Sequence, residues 1–193
     1  MFKIQAATAL PLLLCSFSVF AEWSLDEEQS SFYYVTSKAS AISEVNSFAG
    51  LSGGISDEGV ASLAIALATV DTAIEIRNER MSEIVFKVAE YPRALVSVGV
   101  ETAMIDGMEQ GASITGNYDA EISLHGITQT MGVDLQVLKT DADTLQVSLA
   151  RPLIVNAASF GLAEGVEQLR EIAGLPSINP NVVVDFTLVY NRQ

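Results

Sequence analysis

"SITGNYDAEISL", residues 113–124, alternates along its whole length. Ile114, Gly116, Tyr118, Ala120, Ile122 and Leu124 fall on one side, and Ser113, Thr115, Asn117, Asp119, Glu121 and Ser123 on the other. Successive side chains of a strand point to opposite faces, so a period of two over this length predicts a long strand with one apolar and one wet face. His125-Gly126 then reads as a turn. Ile127, Met131, Val133, Leu135 and Val137 continue the apolar side of a second arm, against Thr128, Thr130, Asp134 and Gln136. The two runs predict an antiparallel hairpin, to which "TLQVSLA" (144–150) adds a third strand.

Working outward, "SSFYYVTSK" (30–38), "ISEVNSFAGLSGGI" (42–55), "VASLAIALATV" (60–70), "ALVSVGVE" (94–101) and "VVVDFTLVY" (182–190) are further strand candidates. In the third of these, Ala61, Leu63, Ile65 and Leu67 carry the bulk, while Ser62, Ala64, Ala66 and Ala68 are slim. Such a strand suits the wall of a cavity whose volume is tuned by side-chain size. "GLSGG" (50–54) lacks the Lys-Ser/Thr of a phosphate loop and reads as a turn or bulge. Two segments break the pattern. "IEIRNERMSEIVF" (74–86) has helix formers with Met81, Ile84 and Val85 at helical spacing. "GLAEGVEQLREIAGL" (161–175) places Leu162, Val166, Leu169, Ile172 and Ala173 on one face, with Gly174 as a stop. The expected fold is all-β with one or two short helices.

The chain opens with "MFKIQAATALPLLLCSFSVFA": Lys3, an uncharged apolar run, and Val19-Phe20-Ala21 with small residues where a signal peptidase reads. This predicts a signal peptide over residues 1–21, cleaved after Ala21, and one domain over 22–193. The apolar run is short for a bilayer span, which needs roughly 20 residues. Cys15 follows Leu14, where a lipid-attachment site resembles a pattern with a small residue, so it reads as part of the signal. The mature domain then contains no cysteine, hence no disulfide and no thiolate ligand. Against 24 acids there are 10 bases, a net charge of −14, which repels nucleic acid and anionic headgroups. A secreted, periplasmic protein is expected.

His125 is the one histidine, and a zinc or iron site needs several converging ligands, so no metal is expected. A Ser-His-acid triad would need a nucleophile on an elbow, and none is expected here. His125 therefore reads as a turn residue. Asp57-Glu58 and Asp141-Ala142-Asp143 read as solvated turns rather than calcium loops. Arg77 and Arg80 stand out in an acidic chain. One reading pairs them with Glu75, Glu79 and Glu83 along a helix. The other puts them at a pocket mouth, facing a phosphate or carbonyl headgroup.

Taken together, "WSLD" (23–26), "SSFYYV" (30–35), "SFAGLSGGI" (47–55), "IEIRNERMSEIVFKVAEYPRALV" (74–96), "ITGNYDAEISLHGITQTMGVDLQV" (114–137) and "FGL" (160–162) resemble, in order and spacing, the YceI-like family of secreted polyisoprenoid-binding proteins. Where the family commonly has His-Ser this chain has Gln29-Ser30, and for Arg-Asp it has Arg77-Asn78. The resemblance implies a lipocalin-like antiparallel β-barrel of about eight strands around an apolar channel. It also implies binding of a long-chain isoprenoid lipid, a quinone or a polyprenyl carrier, without catalysis or cofactor. Ligand-binding residues are then expected at Phe48, Leu63, Phe86, Tyr118, Ile122 and Phe186 along the wall, with Arg77 and Arg80 at the mouth. A homodimer is compatible with this picture.

Two alternatives belong to other classes. A small outer-membrane β-barrel shares the alternation, but aromatics at 7% are too few for two interfacial girdles. An enzyme acting on a bound isoprenoid would need a nucleophile paired with a base.

Overall fold

The computed structural model describes residues 21–193. The signal segment expected over residues 1–21, with Cys15, lies outside the described residues except for Ala21, which opens the first strand. The strands are β1 (Ala21–Lys38), β2 (Ile42–Phe48), β3 (Leu51–Ser56), β4 (Val60–Ala66), β5 (Val70–Asp71), β6 (Arg93–Gly99), β7 (Ser113–Leu124), β8 (Ile127–Asp141), β9 (Thr144–Leu149), β10 (Leu153–Asn156) and β11 (Asn181–Arg192).

Several of these are halves of one lane. β2 and β3 both run antiparallel to β1, β2 along Phe32–Lys38 and β3 along Ala21–Ser24. β4 then pairs with β3, and β5 with β2. In the same way β9 and β10 share β11 as neighbour. With β6, β7 and β8 between them, the lanes follow one another in sequence order, each antiparallel to the last. β11 returns to β1, pairing from Trp23–Arg192 to Val35–Val183. The result is a closed up-and-down barrel of eight lanes, the architecture expected from the sequence.

The alternation in β7 is realised residue by residue. Ser113, Thr115, Asn117, Asp119 and Glu121 are exposed, Ala120 is buried, and Ile114, Tyr118 and Ile122 are half-buried against the interior. The turn to β8 sits on two left-handed residues, His125 (φ 53°) and Gly126 (φ 75°), as a tight hairpin requires. β1 reaches its three neighbours by breaking its register between Asp26 and Ser31. The Asp26 carboxylate holds that break: it accepts from the Gln29 backbone (3.2 Å), the Gln29 amide (2.8 Å) and Asn191 (3.1 Å). Ser30 Oγ donates to the Asp26 carbonyl at 2.6 Å and accepts from Val189 N at 2.9 Å.

The reading of "GLSGG" as a turn or bulge needs correcting in part. Gly50 does sit in the break between β2 and β3, outside both strands. Gly53 and Gly54 instead lie in the strand Leu51–Ser56, and a Cβ on Gly53 would lie 2.1 Å from the Ser62 carbonyl oxygen, so β4 passes too close there for a side chain. The two expected helical segments are α1 (Glu75–Arg80) and α3 (Ala163–Ile172), and a further short helix, α2 (Thr102–Asp106), follows β6. α1 runs on as a π-turn over Met81–Val85. Gly174 ends the α3 segment at φ 61°, as expected, but Ile172 is 49% exposed and off the buried face.

The helices close the barrel. α2 lies beyond the end of β6 and buries Ile105. There the Arg192 guanidinium stacks 4.7 Å over Trp23, is 3.0 Å from Glu22 and also pairs with Asp106. α1 precedes β6 and so lies at the opposite end, with α3 packed on its π-turn. That packing depends on Gly165, whose added Cβ would meet the Ile84 carbonyl oxygen at 2.7 Å and Val85 Cα at 2.8 Å. Alanine would favour the isolated helix by about 1 kcal/mol, whereas overpacking against backbone costs about 1–3 kcal/mol. Gly165→Ala is therefore expected to lower the melting temperature in calorimetry. An unchanged or higher value would show that α3 is free to shift.

Candidate functional site

The inward faces of the eight lanes do not meet. They enclose a cavity of about 520 Å³, within the range of small-molecule pockets. Its wall is aliphatic and aromatic. On one side Phe186 stacks on Phe32 (6.2 Å, 9°), Phe32 meets Phe48 edge-on (6.1 Å), and Phe48 contacts Phe86 (5.8 Å). Tyr34 stacks on Phe48 at 5.4 Å. Leu63, Ile122 and Val147 contribute aliphatic wall, with Tyr118 and Ala120 beside Val133. The cavity reaches the surface beside α1, where Ile74 (46% exposed) and Ile76 (51%) belong to both lining and surface.

All eight residues singled out in the sequence, namely Phe48, Leu63, Arg77, Arg80, Phe86, Tyr118, Ile122 and Phe186, line this one cavity. The bulky face of β4 is the inward one, with Leu63, Ile65 and Leu67 buried.

A polar patch interrupts the apolar wall near α1. Arg77 is not paired along its helix as one reading had it. Its Nη1 donates to Glu44 of β2 at 2.8 Å and its Nη2 to the Thr72 carbonyl at 2.5 Å. Lys38 Nζ, from the end of β1, reaches the same Glu44 oxygen at 2.7 Å. Asn78 supports the arrangement, accepting from Thr72 N (2.8 Å) and Thr72 Oγ1 (2.6 Å). Asn46 donates to Thr36 Oγ1 at 3.1 Å. Two atoms in this patch, Arg77 Nε and Tyr34 Oη, are fully buried and have no partner among the described residues. Burial holds the Tyr34 hydroxyl far above its ordinary pKa, so it is a neutral donor. By contrast the Tyr190 hydroxyl, deeper in the cavity, reaches the Ser62 carbonyl at 3.4 Å. Arg80 also lines the cavity, and among the described residues it makes no ion pair.

Sequence reasoning missed Tyr34, Glu44 and Lys38. The alternation in "SSFYYV" places Phe32 and Tyr34 on one face, a signal that was available. The pairing of Glu44 with Arg77 was not, since it spans 33 residues. Gln29-Ser30, the first departure from the family pattern, sits in the β1 bulge bonded to Asp26 and is not part of the cavity lining. Asn78, the second, braces Thr72.

His125 packs its ring 4.5 Å from Tyr91, and its Nε2 has no hydrogen-bond partner among the described residues, whereas a triad histidine is bonded through both nitrogens. The string Gly50-Leu51-Ser52-Gly53-Gly54 does spell G-x-S-x-G, contrary to the expectation that no such elbow exists. Its context is wrong for one: Ser52 is an exposed mid-strand residue paired with Ala64, not the apex of a strand-to-helix turn. Among the described residues no cluster of three or more His, Cys, Asp or Glu is placed to hold a metal.

A closed eight-lane barrel with an apolar interior and helices at both ends defines a lipocalin-like binding fold. The YceI-like domain family matches residues 23–190, and the chain belongs to that family. Among solved structures, a polyisoprenoid binding domain from Saccharophagus degradans, described as implicated in plant cell wall breakdown, is 36% identical. It aligns with a TM-score of 0.89 over 90% of this chain and 100% of its own. Burkholderia cenocepacia BcnA is 18% identical, with a TM-score of 0.65 over 86% of this chain and 98% of its own, a likeness of fold. A comparison with curated proteins gives no match.

The Glu44 carboxylate is held below its ordinary value of 4.5, first of all by the Lys38 hydrogen bond; burial, the next largest influence, pushes the other way, and the Arg77 charge and hydrogen bond lower it further. A group lowered in this way stabilises the fold at pH above its unfolded value, and that contribution is lost as pH falls through the folded one. Acidification from just above pH 4.5 is therefore expected to lower the melting temperature less in Glu44→Gln than in the parent. Parallel curves would mean that Glu44 contributes nothing to the acid limb.

Proposed function

We propose that this chain is a binding protein for a long-chain isoprenoid lipid of the quinone or polyprenyl type, acting as a carrier or sequestering barrel in the periplasm rather than as an enzyme. The observation that carries the proposal is the cavity itself: a continuous aliphatic and aromatic interior, open beside α1, in a barrel whose β7 exterior is polar. An isoprenoid tail is a run of methyl-branched units, and each buried methylene-sized group is worth about 0.8 kcal/mol. The relative described as a polyisoprenoid binding domain supports the same reading over nearly the whole chain. The signal peptide expected over residues 1–21 supports secretion, with the mature domain over 22–193. The net charge of −14 argues against a nucleic-acid partner.

The outer-membrane alternative requires an apolar band around the whole outside. Outward apolar residues do form one row, Val45, Val183 and Ile154, joined through Val35 across β2, β1, β11 and β10. The row does not extend round the barrel. On β7 and β8 the outward positions are Asn117, Asp119, Glu121 and Gln136. No described helix is long and apolar enough to cross a membrane.

Native mass spectrometry of protein purified from a periplasmic extract, followed by organic extraction, is expected to show an isoprenoid at near one per chain. Ala120 is buried, 1% exposed, and lines the cavity. Ala120→Phe puts a ring where two methylene-sized groups of a tail would lie, which corresponds to about a tenfold loss of affinity with the fold retained. Unchanged affinity would mean that the tail does not occupy this part of the barrel.

A further inference from the structure

Eleven large hydrophobic side chains stay exposed among the described residues, and ten of them lie on the half of the barrel that ends at α1; Val60, at the α2 end, is the exception. Scattered singly such residues need no explanation, but gathered together they mark an interaction surface. Their densest part is the row Val45, Val35, Val183 and Ile154, which crosses four adjacent strands and lies outside the cavity lining. Val45 is 67% exposed and Ile154 61%. The row stands two or three residues in from the strand ends, roughly 7–10 Å at about 3.3 Å per residue. At those ends it meets the rim of the cavity mouth. Ile42 opens β2, and the Arg77–Glu44 pair (2.8 Å) ties α1, with Ile74 and Ile76, to the same strand. The flank is also poor in charge. On the mouth side the outward neighbours of the row are Ser37, Ser43, Asn156 and Asn181, and the first outward charge is Asp185, beyond Val183. By contrast Asp57, Glu58, Glu101, Glu109, Asp141 and Asp143 all stand exposed around the α2 end.

We propose that this flank and the α1 rim dock on the surface of a lipid bilayer, tilted so that the row enters the headgroup–acyl boundary and the acidic α2 end faces water. This rests on the isoprenoid-binding reading and adds where the exchange takes place: a water-insoluble tail moves between bilayer and cavity without crossing water. The depth fits, since an interfacial apolar face sits about 5–10 Å into that boundary. The charge pattern fits as well. A chain of net charge −14 is repelled by anionic headgroups, so an uncharged flank is the surface that approaches lipid at least electrostatic cost. A second copy of the chain is a poorer occupant. A stable protein interface takes roughly 20–30 residues a side. Here the row has four, and the apolar exposure continues over the rim at Ile74 and Ile76 rather than across a flat face.

The test is flotation of the full-length mature protein with vesicles. On phosphatidylcholine vesicles the protein is expected to float. Adding phosphatidylglycerol is expected to lower the bound fraction in dilute buffer, and high salt to restore it, because salt screens the repulsion and leaves the apolar contact. The double variant Val45→Ser, Ile154→Ser removes apolar groups from exposed positions outside the cavity lining. Its partition onto phosphatidylcholine is expected to fall about tenfold or more, whereas Val60→Ser, at the α2 end, leaves partition unchanged. Squalene binding, measured without vesicles by native mass spectrometry, is expected to be the same in the parent and both variants. Failure to float on phosphatidylcholine, binding that needs phosphatidylglycerol and is lost in salt, or equal flotation of the double variant overturns the docking surface. So does a parent that sediments as a dimer and a double variant that sediments as a monomer, since the flank then belongs to a second copy. With squalene still bound, each of these results leaves the isoprenoid reading in place. Failure of the parent to bind squalene removes that reading and the exchange role with it.

Discussion

The ladder between β1 and β11 turns a meander into a container. Without it the sheet would have two open edges, and the apolar faces that now look inward would be exposed to water. Closing a sheet at eight lanes requires strands that tilt and bend. β1 bends at the break between Asp26 and Ser31, and the break also changes which residues point in: Trp23 and Leu25 before it, Phe32 and Tyr34 after it. A strand without that change of parity would put Phe32 and Tyr34 on the outside. The Asp26 carboxylate, gathering Gln29 and Asn191, is thus a small polar device on which the aromatic wall of the cavity depends.

A container of this kind sets two demands against each other. Stability is served by filling the interior, and binding by leaving it open. The chain meets the first at its margins, with Trp23, Leu67, Leu145 and Phe160 almost completely buried, and the second in the middle, where Ala120 and Ala61 stay small among Ile and Val. The polar patch is a second concession of the same sort. Among the described residues Tyr34 Oη and Arg77 Nε have no hydrogen-bond partner, and burying a donor in that way costs about 1–3 kcal/mol on general grounds.

Much of this was legible in the sequence, for a physical reason. A half-wet strand must alternate, so β7 and β8 could be read residue by residue, and the period placed Leu63, Tyr118 and Ile122 on apolar faces, whereas Phe186 entered through the family resemblance. β5 and β10, of two and four residues, are too short to carry a period. The fold in the β2/β3 lane was hidden because "ISEVNSFAGLSGGI" reads as one run. Gly53 looked like a turn residue, while its reason is the Ser62 carbonyl across the lane, visible only once β3 and β4 are side by side. Arg77 shows the same limit. Spacing offers Glu75, Glu79 and Glu83 as partners, and the barrel brings Glu44 instead. The alternation could say that Tyr34 faces inward, but not that its hydroxyl would meet no acceptor there.

The two ends of the barrel are closed by different physics, and this gives the cavity a direction. At the α2 end, Arg192 covers the Trp23 ring and is held by Glu22 and Asp106, so a cation stack and ion pairs seal it in addition to apolar contact. Opening that end means exposing a fully buried indole and parting charges already matched. At the other end α1, its π-turn and α3 meet through backbone contact at Gly165, and Ile74 and Ile76 remain half-exposed on the rim. On the proposed function, the end beside α1, with Ile74 and Ile76 on its rim, is the one that offers a water-insoluble tail apolar surface, whereas at the α2 end a tail would have to displace matched charge.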